Sequence, residues 1–184
     1  MFEKLELNGV ITYEPKIFED NRGIFYEGYN KQLFIENGID CNFLQDNFSK
    51  SINKYTIRGL HFQKGEHAQA KLVWCNKGSI LDCIVDLRKE SKTFLSYLTI
   101  KLSEENKERI YIPRGFAHGF ITLEHNTEVS YKVDNFYNKS SEETIIYNEE
   151  NLNINWGINL NKENITVSMK DLKGKDLYEL GFLK

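Results

Sequence analysis

The sequence predicts an all-β domain of the sandwich or barrel class, and three observations carry that reading. Short apolar runs punctuated by Gly, Asn and Lys follow one another closely from Asn42 to Val133. Runs such as "FLSYLTIKL" alternate with a period of two, the mark of a strand buried on one face. Helical composition is confined to one early stretch and the tail, and closely spaced strands with helices at the ends pack as a sandwich or a closed barrel.

The elements follow in chain order. "FEDNRGIFYE" reads as two strands around the turn Asp20-Asn21-Arg22-Gly23, with Phe25 in the core. Asn30 caps a helix over "KQLFIEN", which Gly38 ends. "LQDNFSKS" sets Gln45, Asn47 and Ser49 two apart, on one strand face. "AKLVWCNKGSILDCIVDL" reads as a hairpin around Asn76-Lys77-Gly78, the glycine supplying a positive φ. "FLSYLTIKL" places Leu98, Ile100 and Leu102 on one face, Thr99 and Lys101 on the other. "RIYIP", "GFITL" and "EVSYKV" continue the series, and Pro113, Gly115 and Gly119 fix a turn that aims Phe116, Ala117 and His118. The tail from Ser168, "MKDLKGKDLYEL", has helical composition interrupted by Gly174. The 184 residues make one domain, with a barrel core over residues 42–133 and a helical tail over 168–184.

Composition narrows the function classes. With 40% hydrophobic and 28% charged residues the chain is globular rather than disordered. A net charge of −3 with interspersed signs and no basic block argues against nucleic acid as a partner. Cys41, Cys75 and Cys83 are odd in number and form no C-x-x-C pair, so neither a disulfide framework nor a structural zinc site is expected. The N-terminus lacks a signal-peptide core and no apolar run is long enough to span a membrane, so the expected location is the cytoplasm.

The chemistry concentrates in "TIRGLHFQKGEHAQAKLV" and "IPRGFAHGF". His61-x-Gln63 with Glu66 and His67, and Pro113-x-Gly115-x-x-His118, resemble the paired motifs of the cupin superfamily, which implies a jelly-roll, double-stranded β-barrel. Gln63 stands where metal-binding cupins carry a second histidine, and Gln is a poor transition-metal ligand, so no metal is expected. Arg58 and Lys71 flank His61, and cations on a buried face need a partner that an anionic ligand would supply. His67 reads as a loop residue and His125 as an exposed turn residue.

Eight blocks then occur in order: "FEDNRGIFYE", "QDNFSKS", "IRGLHFQ", "AKLV", "VDLRKES", "IPRGFAHGF", "YKVDNFY" and "NINW", with "SMKD" near the end. They resemble the signature of the dTDP-4-dehydrorhamnose 3,5-epimerases over most of the chain. The resemblance implies a cofactor-independent homodimer acting on a nucleoside-diphosphate 4-keto-6-deoxy sugar. By the same resemblance His61 is the base, Asp171 orients it, Tyr131 is the acid and Lys71 lies near the 4-keto oxygen. Arg58 and His118 match sugar and diphosphate contacts. Arg22 and Phe18 match residues that reach the nucleotide from the neighbouring subunit, and Glu27, Gln45, Asn47 and Tyr137 match other nucleotide-pocket positions. Gly157 replaces a common Pro after Trp156, and Phe136-Tyr137-Asn138-Lys139 departs from the usual Y-Y-A-P. Inversion at C3 alone, a GDP-linked heptose substrate, a 3,4-ketoisomerase, a non-catalytic nucleotide-sugar binder and a metal-dependent oxygenase remain as alternatives.

Overall fold

Strand alternation becomes two facing sheets. The computed structural model describes residues 1–184. In chain order the elements are β1 (Phe2–Lys4), β2 (Ile11–Tyr13), β3 (Phe18–Asp20), β4 (Gly23–Phe25), α1 (Lys31–Glu36), β5 (Gln45–Ser51), β6 (Thr56–Gln63), β7 (Lys71–Lys77) and β8 (Ser79–Asp86). There follow β9 (Tyr97–Ser103), β10 (Arg109–Ile112), β11 (Phe116–Thr122), β12 (Thr127–Val133), β13 (Glu142–Thr144), β14 (Thr166–Val167) and α2 (Met169–Leu172). The first sheet has the order β1-β2-β10-β7-β12-β5, and the second β13-β6-β11-β8-β9 with β14 added in parallel to β6.

Three apolar clusters hold this jelly roll together. Val73, Ile110 and Val129 of the first sheet meet Ile84, Leu102 and Phe116 of the second, filling the space between the sheets. Leu98 and Ile100 join them on the face their alternation predicts. On the outside of the second sheet, Ile57, Leu60, Val85 and Ile121 are covered by Leu152, Trp156 and Leu177 from the C-terminal third of the chain. On the outside of the first, Ile11, Tyr13 and Leu72 pack on Phe34 of α1. Asn30 caps α1 by accepting from Leu33 N–H at 3.2 Å, and Gly38 follows it at φ +84°.

Three expectations are corrected. β7 and β8 are not a hairpin: β7 pairs with β10 and β12, β8 with β9 and β11, so the turn at Gly78 is a corner between sheets. Turn chemistry specifies a reversal and a positive φ, here +72°, but not the sheet in which each arm finds partners. The tail is helical for one turn only. A Cβ at Gly174 would lie 2.8 Å from Ile146 N, and the chain there pairs with the 144–146 segment through Lys175, which ends the helix. Phe25 is not core but 67% exposed, because β3 and β4 pair only with each other and stand clear of both sheets.

Candidate active site

A regular strand would send Arg58 and His61 to opposite faces of β6. Their pairing on β11 prevents this. Arg58 lies opposite Phe120 and His61 opposite His118, so three steps on β6 match two on β11. This β-bulge at Gly59-Leu60 turns both polar side chains inward, while Leu60 is fully buried in the outer cluster. Only glycine fits at its first position: φ is +100°, and a Cβ there would lie 2.6 Å from His118 O and 2.8 Å from Gly119 Cα.

The bulge also anchors a carboxylate. Ser168 caps α2 by accepting from Asp171 N–H at 3.1 Å, which brings Asp171 beneath β6. Its Oδ1 lies 2.6 Å from His61 Nε2, and its Oδ2 accepts from the Gly59 N–H at 3.3 Å. Burial alone would raise the Asp171 carboxyl; the bonds from His61, Gly59 and Ser168 outweigh it and hold the carboxyl below its ordinary value. With the carboxylate accepting from Nε2–H, the His61 tautomer leaves a lone pair on Nδ1.

The opposite wall comes from the first sheet. Lys71 on β7 is buried, and that burial brings its ammonium down to about 8 against the pull of Asp82 and Glu142. Tyr131 on β12 is pushed up by burial; Arg58 opposes the rise and Glu142 adds to it. On β11, His118 Nε2 lies 2.7 Å from Oδ1 of the fully buried Asp82. Burial lowers His118, Asp82 resists, and Lys71 and His61 lower it further. Arg58 has no carboxylate partner; it is tied to β5 through Ser51 Oγ at 3.0 Å and Lys50 O at 3.1 Å. Arg58, His61, Lys71, His118, Tyr131 and Asp171 line one cavity of about 430 Å³, with Ser49, Phe120, Thr166 and Lys170 among its other wall residues.

A family model described as dTDP-4-dehydrorhamnose 3,5-epimerase matches residues 4–179. The chain belongs to that family. The dTDP-4-dehydrorhamnose 3,5-epimerase of Salmonella typhimurium is 50% identical over 154 residues, covering 83% of this chain and 84% of that one. The crystal structure of the enzyme of that name from Elizabethkingia anophelis superimposes with a TM-score of 0.91 at 46% identity, covering 97% of both chains. That of the dTDP-6-deoxy-D-glucose-3,5-epimerase of Legionella pneumophila, in complex with dTDP-4-keto-L-rhamnose, gives 0.91 at 38% identity, covering 97% of this chain and 93% of that one. The relatives are therefore isomerases of nucleotide sugars, built on the same barrel.

Set against the epimerase blocks, the structure brings together His61, Asp171, Lys71, Tyr131, Arg58 and His118. Gln45 and Asn47 share the β5 face of Ser49 but lie beyond the cavity wall, where Gln45 Nε2 donates to Asn47 Oδ1 at 2.8 Å. Tyr137 is exposed and outside the cavity lining, its hydroxyl donating to Glu142 Oε2 at 2.9 Å. Phe18, Arg22 and Glu27 are exposed and away from this cavity; Arg22 pairs instead with Asp20 at 2.6 Å on the β3–β4 hairpin. Gln63 turns to the backbone, donating to His67 O and Phe136 O and accepting from Asn138 N–H. No group of three or more His, Cys, Asp or Glu side chains is arranged to hold a metal ion, and no helix is long and apolar enough to cross a membrane.

Three site groups escaped the sequence reading. Asp82 had a usable signal, since a carboxylate flanked by apolar residues in "ILDCIV" must find a buried partner. Glu142 and Lys170, an ion pair of 2.6 Å of which Lys170 lines the cavity, had none: they come from β13 and α2, which only the fold brings side by side.

Proposed function

We propose that this chain inverts C3 and C5 of dTDP-4-dehydro-6-deoxyglucose to give dTDP-4-dehydrorhamnose, by proton transfer through an enolate. The observation that carries this reading is the His61–Asp171 pair on one sheet facing Lys71 and Tyr131 from the other across one cavity.

The 4-keto group acidifies the hydrogens at C3 and C5. His61 Nδ1 removes one of them, and Asp171 stabilises the imidazolium that results. Lys71, with its pKa near 8, is mostly a cation at neutral pH and holds the charge that develops on O4. Tyr131, whose phenol is raised, stays protonated and returns a proton from the opposite face, inverting the centre. No electrons leave the substrate, so the reaction needs no redox partner. Arg58 and His118 grip the sugar and diphosphate.

The β3–β4 hairpin carries Phe18 and Arg22 away from its own barrel, with Phe18, Ile24 and Phe25 exposed. We read it as an arm that completes the nucleotide end of a second copy's cavity, making the working unit a homodimer. Glu27, Gln45, Asn47 and Tyr137 extend that end. Three buried free cysteines agree with a reducing, cytoplasmic location.

The test is incubation with a panel of dTDP- and GDP-linked 4-keto sugars in D₂O, followed by proton NMR. Deuterium at both C3 and C5 of the dTDP-hexose, with the ketone still at C4, is expected. Label at C3 alone, preference for a GDP-heptose, or a ketone moved to C3 would each replace this reading with a different one. Light scattering at the mass of a single chain would remove the shared site.

A further inference from the structure

Arg109 is a buried cation that the reaction does not use. It is 7% exposed, it forms no ion pair, and its Nε has no hydrogen-bond partner. Burial lowers its pKa, as expected of a charge taken from water without a counter-ion. Such a group is costly unless something specific compensates it.

The compensation is aromatic, and it lies in a row across the outer face of the first sheet. Arg109 on β10 is in register with Trp74 on β7 and with Tyr13 on β2. Tyr13 is in turn in register with Phe2 on β1, ring on ring at 4.6 Å. The guanidinium sits 4.2 Å from the Trp74 ring centre, and Tyr26 contributes a second ring at 5.9 Å. Trp74 is itself held, its Nε1–H donating to Asn76 Oδ1 at 2.7 Å.

The segment Tyr26-Glu27-Gly28 lies over this row. Tyr13 OH donates to Glu27 O at 3.0 Å. At Gly28 the backbone comes so close to the guanidinium that a Cβ would be 2.1 Å from one of its terminal nitrogens and 2.5 Å from Cζ. These three residues directly follow β4, and the β3–β4 hairpin pairs with neither main sheet. Its direction is therefore set where the chain rejoins the barrel, at this contact.

We propose that Arg109 is a positioning residue for the β3–β4 hairpin: wedged between Trp74 and the Tyr26–Gly28 backbone, it fixes the angle at which the arm leaves the barrel and so presents Phe18 and Arg22 to the nucleotide. The proposal rests on the reading of the hairpin as an arm that serves a second copy. Arg109 touches no reacting atom, so it affects nucleotide affinity and leaves the proton-transfer steps alone.

The experiment uses the full-length protein with dTDP as probe and the dTDP-4-keto sugar as substrate. Arg109→Met is expected to raise KM and the Kd for dTDP by about tenfold, the scale of a desolvated cation–aromatic contact, with kcat within about twofold. Amide exchange should speed up across the hairpin and Tyr26–Gly28, and not in β6 or β11. Arg109→Lys keeps a cation over Trp74 and should recover most of the affinity. Gly28→Ala, which pushes the guanidinium from its slot, should reproduce the loss in a chain whose Arg109 is intact, and it decides the matter where Arg109→Met does not fold. Equal losses in kcat and affinity, or unchanged hairpin exchange, would overturn the proposal. Arg22→Ala separates the two layers. If it weakens dTDP binding while Arg109→Met and Gly28→Ala do not, the arm stands and the anchor falls. If Arg22→Ala leaves dTDP binding intact, the arm itself falls, and the anchor's effect on affinity falls with it.

Discussion

Replacing Asp171 by Asn removes a charge and almost no volume, which makes it the sharpest probe of the site. Both carboxylate oxygens are acceptors here: Oδ1 for His61 Nε2–H at 2.6 Å and Oδ2 for Gly59 N–H at 3.3 Å. Asn offers one acceptor and one donor. If its amide nitrogen faces Gly59, two donors oppose each other in a buried site. If it faces His61, the imidazole must move its proton to Nδ1, the nitrogen that has to act as base. Either arrangement also loses the counter-charge for the imidazolium. A unit charge about 4 Å away is worth about 4 kcal/mol at an effective dielectric of about 20, or about three powers of ten in rate. Asp171 is 3% exposed, so water does little to screen that loss. The expected result is kcat lowered about 10³-fold with KM nearly unchanged, because Asp171 acts through His61. The assay is deuterium uptake at C3 and C5 in D₂O, followed by NMR, with circular dichroism to show that the fold persists. A folded Asp171→Asn protein that exchanges both positions within about fivefold of the parent rate would refute the argument.

Tyr131→Phe should slow inversion by about 10²–10⁴ while hydrogen wash-out from the substrate continues, and parallel losses in both would end its role as acid. Lys71 must be a cation to hold the enolate, and its burial-lowered pKa means that the charge is present below about 8 and lost above it. The kcat/KM profile of the free enzyme should therefore fall as pH rises through that value, and Lys71→Arg should move the falling limb upward; a limb that stays put would assign it to another group. Asp86 is fully buried and accepts from Arg88, Ser91 and Thr93; burial would raise its pKa, but these bonds win and bring it from 3.8 to about 2. A carboxyl lowered by folding stabilises above its unfolded value and loses that contribution as pH falls through the folded one, so Asp86→Asn should cost about 2 kcal/mol in urea unfolding at neutral pH. That difference should vanish near the folded pKa, and a gap that persists there would point to packing instead.

Much of the barrel was legible because period-two alternation reports burial directly: the face of Leu98, Ile100 and Leu102 is the face that packs inward. Caps were legible for the same local reason, as at Asn30 and Gly38. What escaped was non-local. Nothing near Gly78 says that its two flanking strands belong to different sheets. Nothing in "IRGLH" marks one extra residue in the ladder, although the spacing of Arg58 and His61 only makes sense with a bulge between them. Phe25 looks like core because aromatic residues usually are, and a hairpin that stands clear of its own barrel reverses that rule. The cavity residues were visible as chemical types in recognisable blocks, whereas Glu142 and Lys170 acquire a part only through neighbours far away in sequence.

The C-terminal third lays Leu152, Trp156 and Leu177 over the second sheet, adds β14 beside β6, and delivers Asp171 to His61. One segment thus both covers an apolar surface and sets a carboxylate behind the cavity histidine. A nascent chain that has emerged only as far as β13 presents Ile57, Val85 and Ile121 to solvent and has a histidine with no carboxylate behind it. Burial of that surface and completion of the His61–Asp171 pair therefore arrive with the same segment, and a nonsense mutation upstream of Leu152 should leave an apolar face exposed and His61 without its carboxylate.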